Sequence, residues 1–190
     1  MAKITGITQK TQNPFVNLYE LDRESKTGQK GKYYVASRAK SQEQLKLKTR
    51  QNTPDGVIIY SLYGEEQDRV VLVRQYRYSI DGYIYEFPAG LVEQGEDFRE
   101  AGVREMKEET GLTFIPLEVN PAYEKPAFTT IGLTDESCGI VFGTAKGQVS
   151  REFLEDTEEI EVVLADREEV RRILKEENQN PASGNKTVPL

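Results

Sequence analysis

Two kinds of apolar spacing divide the chain. Short runs rich in Val, Ile, Tyr and Phe, bounded by Gly, Pro and charged clusters, have the make-up of β-strands. They fall at residues 56–62, 69–77 and 83–87, then again at 137–143 and 160–164. Three more, at 4–8, 15–21 and 33–38, precede them. Helical spacing occurs twice. Gly95, Glu96 and Asp97 form a helix start, acids being favoured near the positive end of the macrodipole, and Gly111 supplies the stop. Between them Gly102, Val103 and Met106 form the face predicted to be buried. The second helix opens at Asp166, which with Glu169 resembles a capping box, and places Val170, Ile173 and Leu174 on one face.

This order of elements predicts an α/β (α+β) fold with a mixed sheet between helices. Residues 1–50 form a separate N-terminal antiparallel β-subdomain, in which the polar run 23–32 is a hairpin loop and 41–50 a linker or exposed helix. Three short strands are too few to bury a core unaided, so the sheet must lean on the main domain or on a second subunit. The main domain is expected over 51–177, and 178–190, with Pro181, Gly184 and Pro189, is expected to be a mobile tail.

Charge narrows the chemistry. The net charge of −7 argues against general nucleic-acid binding, which leans on Lys/Arg stripes. No apolar run approaches a membrane span, and the N-terminus lacks the apolar core of a signal peptide. Cys138 is the single cysteine, so no internal disulfide can form. Together these predict a cytoplasmic protein without membrane or nucleic-acid partners. With no histidine, a general base must come from another group, a carboxylate or a metal-bound hydroxide being the leading candidates.

The chemistry concentrates in residues 90–112. At about 100° per residue, Glu105, Glu108 and Glu109 share one narrow helix face. Three like charges there repel one another. Either the face is simply solvated, or a divalent cation relieves the repulsion, because clustered carboxylates are the hard oxygen ligands that Mg²⁺ or Mn²⁺ prefers. Apolar strand 83–87 and the Pro88-Ala89-Gly90 turn lead directly into this helix, which predicts that it is docked.

The stretch resembles the Nudix box, Gly-x5-Glu-x7-Arg-Glu-U-x-Glu-Glu-x-Gly-U with U apolar. Gly90, Glu96, Arg104, Glu105, Met106, Glu108, Glu109, Gly111 and Leu112 fill every fixed position. The resemblance covers roughly residues 52–175 and implies an αβα sandwich that hydrolyses a diphosphate linked to a second moiety. It implies Glu105, Glu109 and the Ala89 main-chain oxygen as metal ligands, and Glu108 as ligand or base. Gly90, Glu96, Arg104 and Gly111 take structural roles. The implied cofactor is Mg²⁺, with Mn²⁺ an alternative.

The flanks, Arg74-Gln75-Tyr76-Arg77 and Glu86-Phe87-Pro88-Ala89-Gly90-Leu91, resemble the ADP-ribose pyrophosphatase branch. That branch is a homodimer exchanging small N-terminal β-domains. The resemblance implies Tyr33 as the adenine-stacking aromatic, and Arg38 and Arg77 as diphosphate-binding residues. Glu136 and Glu158 stand as additional catalytic carboxylates. Pro126 has the spacing from Gly111 of the proline that marks these enzymes. However, the following Gly132-Leu133-Thr134-Asp135-Glu136 segment is preceded by Ile131, as if a short insertion separated the two. The implied activity is Mg²⁺-dependent hydrolysis of ADP-ribose or a related nucleoside diphosphate sugar to AMP (or NMP) and a sugar phosphate. The alternatives are another nucleoside diphosphate substrate of UDP-glucose, flavin or CoA type, and a non-catalytic ligand sensor.

Overall fold

A computed structural model describes residues 1–154 and 159–176. Glu158 and the expected tail lie outside the described residues. The chain runs through β1 (Lys3–Gln9), β2 (Asn17–Glu24), β3 (Lys30–Ser37), a single turn of helix α1 (Lys46–Thr49), β4 (Gly56–Tyr63), β5 (Arg69–Arg77), β6 (Gly82–Glu86) and β7 (Ala89–Leu91). Helix α2 (Phe98–Thr110), β8 (Thr113–Pro116), β9 (Ala127–Phe128), β10 (Ser137–Lys146), β11 (Ile160–Ala165) and α3 (Arg167–Glu176) complete it. Among the described residues no helix is long and apolar enough to cross a membrane.

Two compact units result, Met1–Asp55 with Pro126–Cys138, and Gly56–Lys125 with Gly139 onward. The first is the antiparallel sheet β1-β2-β3. Alternation along β2 and β3 turns Tyr19, Leu21 and Val35 inward, where Leu45, just before α1, closes a small core with them. The other face carries Leu18, Glu20 and Tyr34. Residues 126–138, which the sequence places in the main domain, group with this sheet for a backbone reason. Ala36 N donates to the Leu133 carbonyl at 2.9 Å, and Asp55 N donates to that of Ser137 at 2.8 Å.

The second unit is organised by sheet order β11-β5-β4-β10-β8, with β6 on β5 and β7 on β4. Period-2 alternation sends Val57, Ile59, Val71 and Val141 to one face, where Ala101 and Met106 of α2 pack on them. Tyr60, Leu62 and Leu72 point the other way and, with Val170, Ile173 and Leu174 of α3, line a groove of about 440 Å³. The sheet is therefore covered by helices on both faces, an α+β sandwich as the pattern predicts. Truncating the fully buried Met106 to Ala would cost about 2–5 kcal/mol.

Helix α2 begins and ends where the sequence marks it. Asp97 is the N-cap, its Oδ1 accepting from Arg99 N at 2.9 Å, and Gly111 ends the helix at φ 74°. One expectation fails. Val103 is 39% exposed while Gly102 and Met106 are buried. The buried stripe runs through 102, 106 and 109, and Val103 lies one residue round the barrel of the helix from it. On α3, Asp166 Oδ1 accepts from Glu169 N at 2.8 Å. The Glu169 carboxylate pairs forward with Arg172, so only half of the capping box forms.

Candidate active site

Strand β5 divides its partners along its length. Val70 faces Leu62 of β4, whereas residues 73–77 pair with β6. The chain leaving β6 then crosses at Phe87-Pro88 to pair β7 with the start of β4, Ala89 opposite Ile58 and Gly90 opposite Val57. This crossing sets the Ala89-Gly90 backbone directly under the acidic face of α2. Buried Glu109 accepts from Ala89 N through Oε2 at 3.2 Å. The Glu105 carboxylate lies over Gly90 in the space that a Cβ would fill.

Arg104 binds the acidic face together. Its Nε and Nη2 donate to the two oxygens of Glu96 at 3.0 and 3.1 Å, and Nη1 donates to Glu105 and Glu108 at 2.9 Å each. Nη2 also donates to the Leu91 carbonyl at 3.0 Å, and Glu96 accepts from Glu93 N at 3.0 Å. One guanidinium thus ties the loop before α2, strand β7 and two helix carboxylates together. The fork on Glu96, reinforced by Glu105 and Glu108, holds the Arg104 proton more firmly than usual despite burial. The same bond from Arg104, with the Glu93 N–H, holds the Glu96 carboxyl below the usual carboxylate range.

Glu105, Glu108, Glu109 and the Ala89 carbonyl supply hard oxygens of the kind that Mg²⁺ and Mn²⁺ take, so the donor set fits a divalent cation. With the side chains as they stand, no three acids among the described residues already converge on a metal-sized gap. The reason is visible. Glu105 and Glu108 are turned toward Arg104.

Arg77, at the end of β5, donates through Nε to Glu86 Oε2 at 2.7 Å. Among the described residues its terminal nitrogens have no partner. Tyr33, Arg38 and Glu136 belong to the first unit. The Tyr33 ring walls a pocket of about 350 Å³ with Leu21, Val35, Phe128 and Ile131, and its hydroxyl donates to the Gly132 carbonyl at 2.6 Å. Arg38 and Glu136, expected as a substrate ligand and a catalytic acid, pair with each other at 2.8 Å. Glu86 and the Leu91 carbonyl were not singled out from sequence. Nothing in periodicity marks either, because their importance comes from the β6–β7 crossing.

The NUDIX domain model matches residues 52–184. The ADP-ribose pyrophosphatase of Saccharomyces cerevisiae is 35% identical over 95 residues, 50% of this chain and 41% of that protein. The ADP-sugar pyrophosphatase of Mus musculus is 37% identical over 83 residues, 42% of this chain and 38% of that protein. The chain spans about half or less of the length of these curated relatives. A solved structure described as an ADP compounds hydrolase superposes with a TM-score of 0.62 at 18% identity, covering 94% of this chain and 86% of the other, a likeness of fold. Nudix hydrolases generally use divalent metal cations. With a family model matched over more than half its length and the box placed intact on α2, this chain belongs to the Nudix family.

Proposed function

We propose that the protein is a Mg²⁺-dependent pyrophosphatase that cleaves ADP-ribose or a related nucleoside diphosphate sugar, releasing AMP (or NMP) and a sugar phosphate. The observation that carries this is the docked acidic face of α2. Glu105 rests on Gly90 and Glu109 is tethered to Ala89 N, so the carboxylates are held against one stretch of backbone. Likeness to the yeast and mouse pyrophosphatases supports the substrate class.

In this reading Glu105, Glu109 and the Ala89 carbonyl hold Mg²⁺ or Mn²⁺, with Glu108 beside them as ligand or base. When bound, the ion neutralises phosphate charge and lowers the pKa of water. Arg104 and Glu96 position the acidic face, as groups behind metal ligands do. Arg77, anchored at Nε by Glu86, offers its terminal N–H groups to the diphosphate. Glu136 and Glu158 are further carboxylates for proton transfer.

The active form in this proposal is a homodimer in which the first unit contributes to the other subunit's site. Phe15 is 73% exposed, and Val16, Leu18 and Tyr34 are also exposed, apolar surface that a second subunit would cover. A panel of ADP-ribose, UDP-glucose, flavin and CoA diphosphates with Mg²⁺ tests the activity. Rapid turnover of ADP-ribose is expected, and no turnover of any of them would overturn the proposal.

A further inference from the structure

The pairing of Arg38 with Glu136 carries a consequence for how substrate enters. Glu136 lies 98 residues beyond Arg38, and its position is fixed by backbone. Leu133 accepts from Ala36 N at 2.9 Å, and Tyr33 ties Gly132 to β3. Beyond Glu136, Ser137 pairs with Phe128. Glu136 is held once at its backbone and once at its carboxylate. Its own N–H donates to Thr134 Oγ1 at 3.1 Å, and Thr129 Oγ1 lies 3.4 Å from Oε2. Arg38 Nε and Nη2 then both reach Oε1, at 2.9 and 2.8 Å.

The arrangement imitates what a diphosphate would do. Two nitrogens of one guanidinium edge converge here on a single carboxylate oxygen, and a phosphoryl oxygen can be held by the same pair of donors. A polar pocket of about 210 Å³ opens beside Arg38, lined by the cations Arg38 and Lys46, by Gln44 and Gln51, and by the carboxylates Asp55 and Asp135. Both partners are about one-third exposed, so the pair is reachable from solvent. Lys46 is already committed to Asp55 at 2.5 Å, which leaves Arg38 as the exchangeable cation of this pocket.

We infer that Glu136 is an internal stand-in for substrate, occupying the Arg38 fork until a phosphoryl group displaces it and releases the Glu136 carboxylate. This rests on the proposed reading of Arg38 as a diphosphate ligand. A phosphoryl group competes well because it brings more charge and further oxygens than one carboxylate. The pair therefore lowers apparent affinity, since only the fraction of molecules with an open fork binds. It also keeps Arg38 extended and ordered, so little side-chain freedom is lost at exchange.

The test uses the full chain and inorganic diphosphate in EDTA, so that metal plays no part in binding. By calorimetry, Glu136→Gln is expected to bind diphosphate about three- to tenfold more tightly than wild type, the range a part-buried pair would impose. Glu136→Ala should gain at least as much. Arg38→Ala should bind more weakly, and Arg38→Ala/Glu136→Gln should show no gain over Arg38→Ala. Thermal melts establish that each variant is folded. Unchanged or weaker binding in both folded Glu136 variants, or no diphosphate binding by any form, would overturn the inference. With ADP-ribose and Mg²⁺, KM should fall in Glu136→Gln, where a merely structural Glu136 would give a higher KM. A wild type that binds diphosphate yet hydrolyses nothing would defeat the catalytic reading alone, leaving the exchange standing.

Discussion

The carboxylate of Glu105 occupies the space above Gly90 that any other residue would need for its own Cβ. The box glycine is thus explained by the side chain that rests on it, not by a left-handed turn, for Gly90 lies in β7 paired with Val57. Gly90→Ala forces Glu105 off the strand or β7 away from α2. We expect a loss of about 1–3 kcal/mol, typical of overpacking, together with loss of turnover. Melting temperature and kcat for this variant check both; a variant with wild-type values would show that Glu105 is free to leave.

Glu109 makes a separate test of the metal reading. Its Oε2 accepts from Ala89 N at 3.2 Å, an interaction that Gln can keep through its carbonyl oxygen. Glu109→Gln should therefore melt near wild type. It should lose about 10²-fold or more in kcat, because charge at the cation is removed. Turnover is measured across a Mg²⁺ titration, and near wild-type rates at limiting Mg²⁺ would remove Glu109 from the ligand set.

Acid should weaken the hold of Arg104 on Glu96. Arg104 holds the Glu96 carboxyl below its usual 4.5. Because the folded pKa is the lower one, Glu96 contributes stability that is fully present above the unfolded value. That contribution is lost as pH falls below about 4.5 and through the folded pKa. Melts between pH 7 and pH 3.5 should show Tm falling with acid below that point. Glu96→Gln should start lower at pH 7 and fall less, which an equal decline in both proteins would contradict.

The exposed apolar residues of the first unit predict association. Light scattering at micromolar concentration should give twice the chain mass, and Leu18→Ser with Phe15→Ser should shift the protein toward monomer. A fully active monomer would rule out the exchange of N-terminal units.

Strands and helix ends were legible because their signals are local. Val70 to Val73 form an unbroken β-rich apolar run, Asp97 caps, and Gly111 stops α2. The box glutamates were legible because helix periodicity alone puts 105, 108 and 109 side by side. What could not be read is long-range. No local rule joins Arg38 to Glu136 or sends residues 126–138 back to β3. The hold of Glu86 on Arg77 is closer in sequence, nine residues apart on the paired strands β5 and β6, but it depends on a hairpin register that the apolar pattern does not specify. Val103 shows the reverse case, an apolar residue that the pattern enrols in the core and the packing leaves outside.

Arg77 gives the sharpest test of substrate recognition. Its Nε is fixed by Glu86 at 2.7 Å, so the guanidinium presents its far edge in one orientation. That edge suits two phosphoryl oxygens, a feature common to every candidate substrate. Arg77→Ala should therefore reduce kcat/KM for ADP-ribose and UDP-glucose alike, by about 1.5–3 kcal/mol for a charge-assisted contact. Arg77→Lys should recover only part, because one ammonium cannot both hold Glu86 and span two oxygens. Glu86→Gln should weaken both substrates less than Arg77→Ala does, since it loosens the anchor and leaves the fork. Tyr33→Ala, which strips an aromatic wall from the pocket of the first unit, should instead hurt adenine substrates more than UDP-glucose. Measuring kcat/KM for both substrates on all four variants separates the roles. If Arg77→Ala impaired one substrate and spared the other, the arginine would select the leaving moiety, and its place on the diphosphate would be wrong.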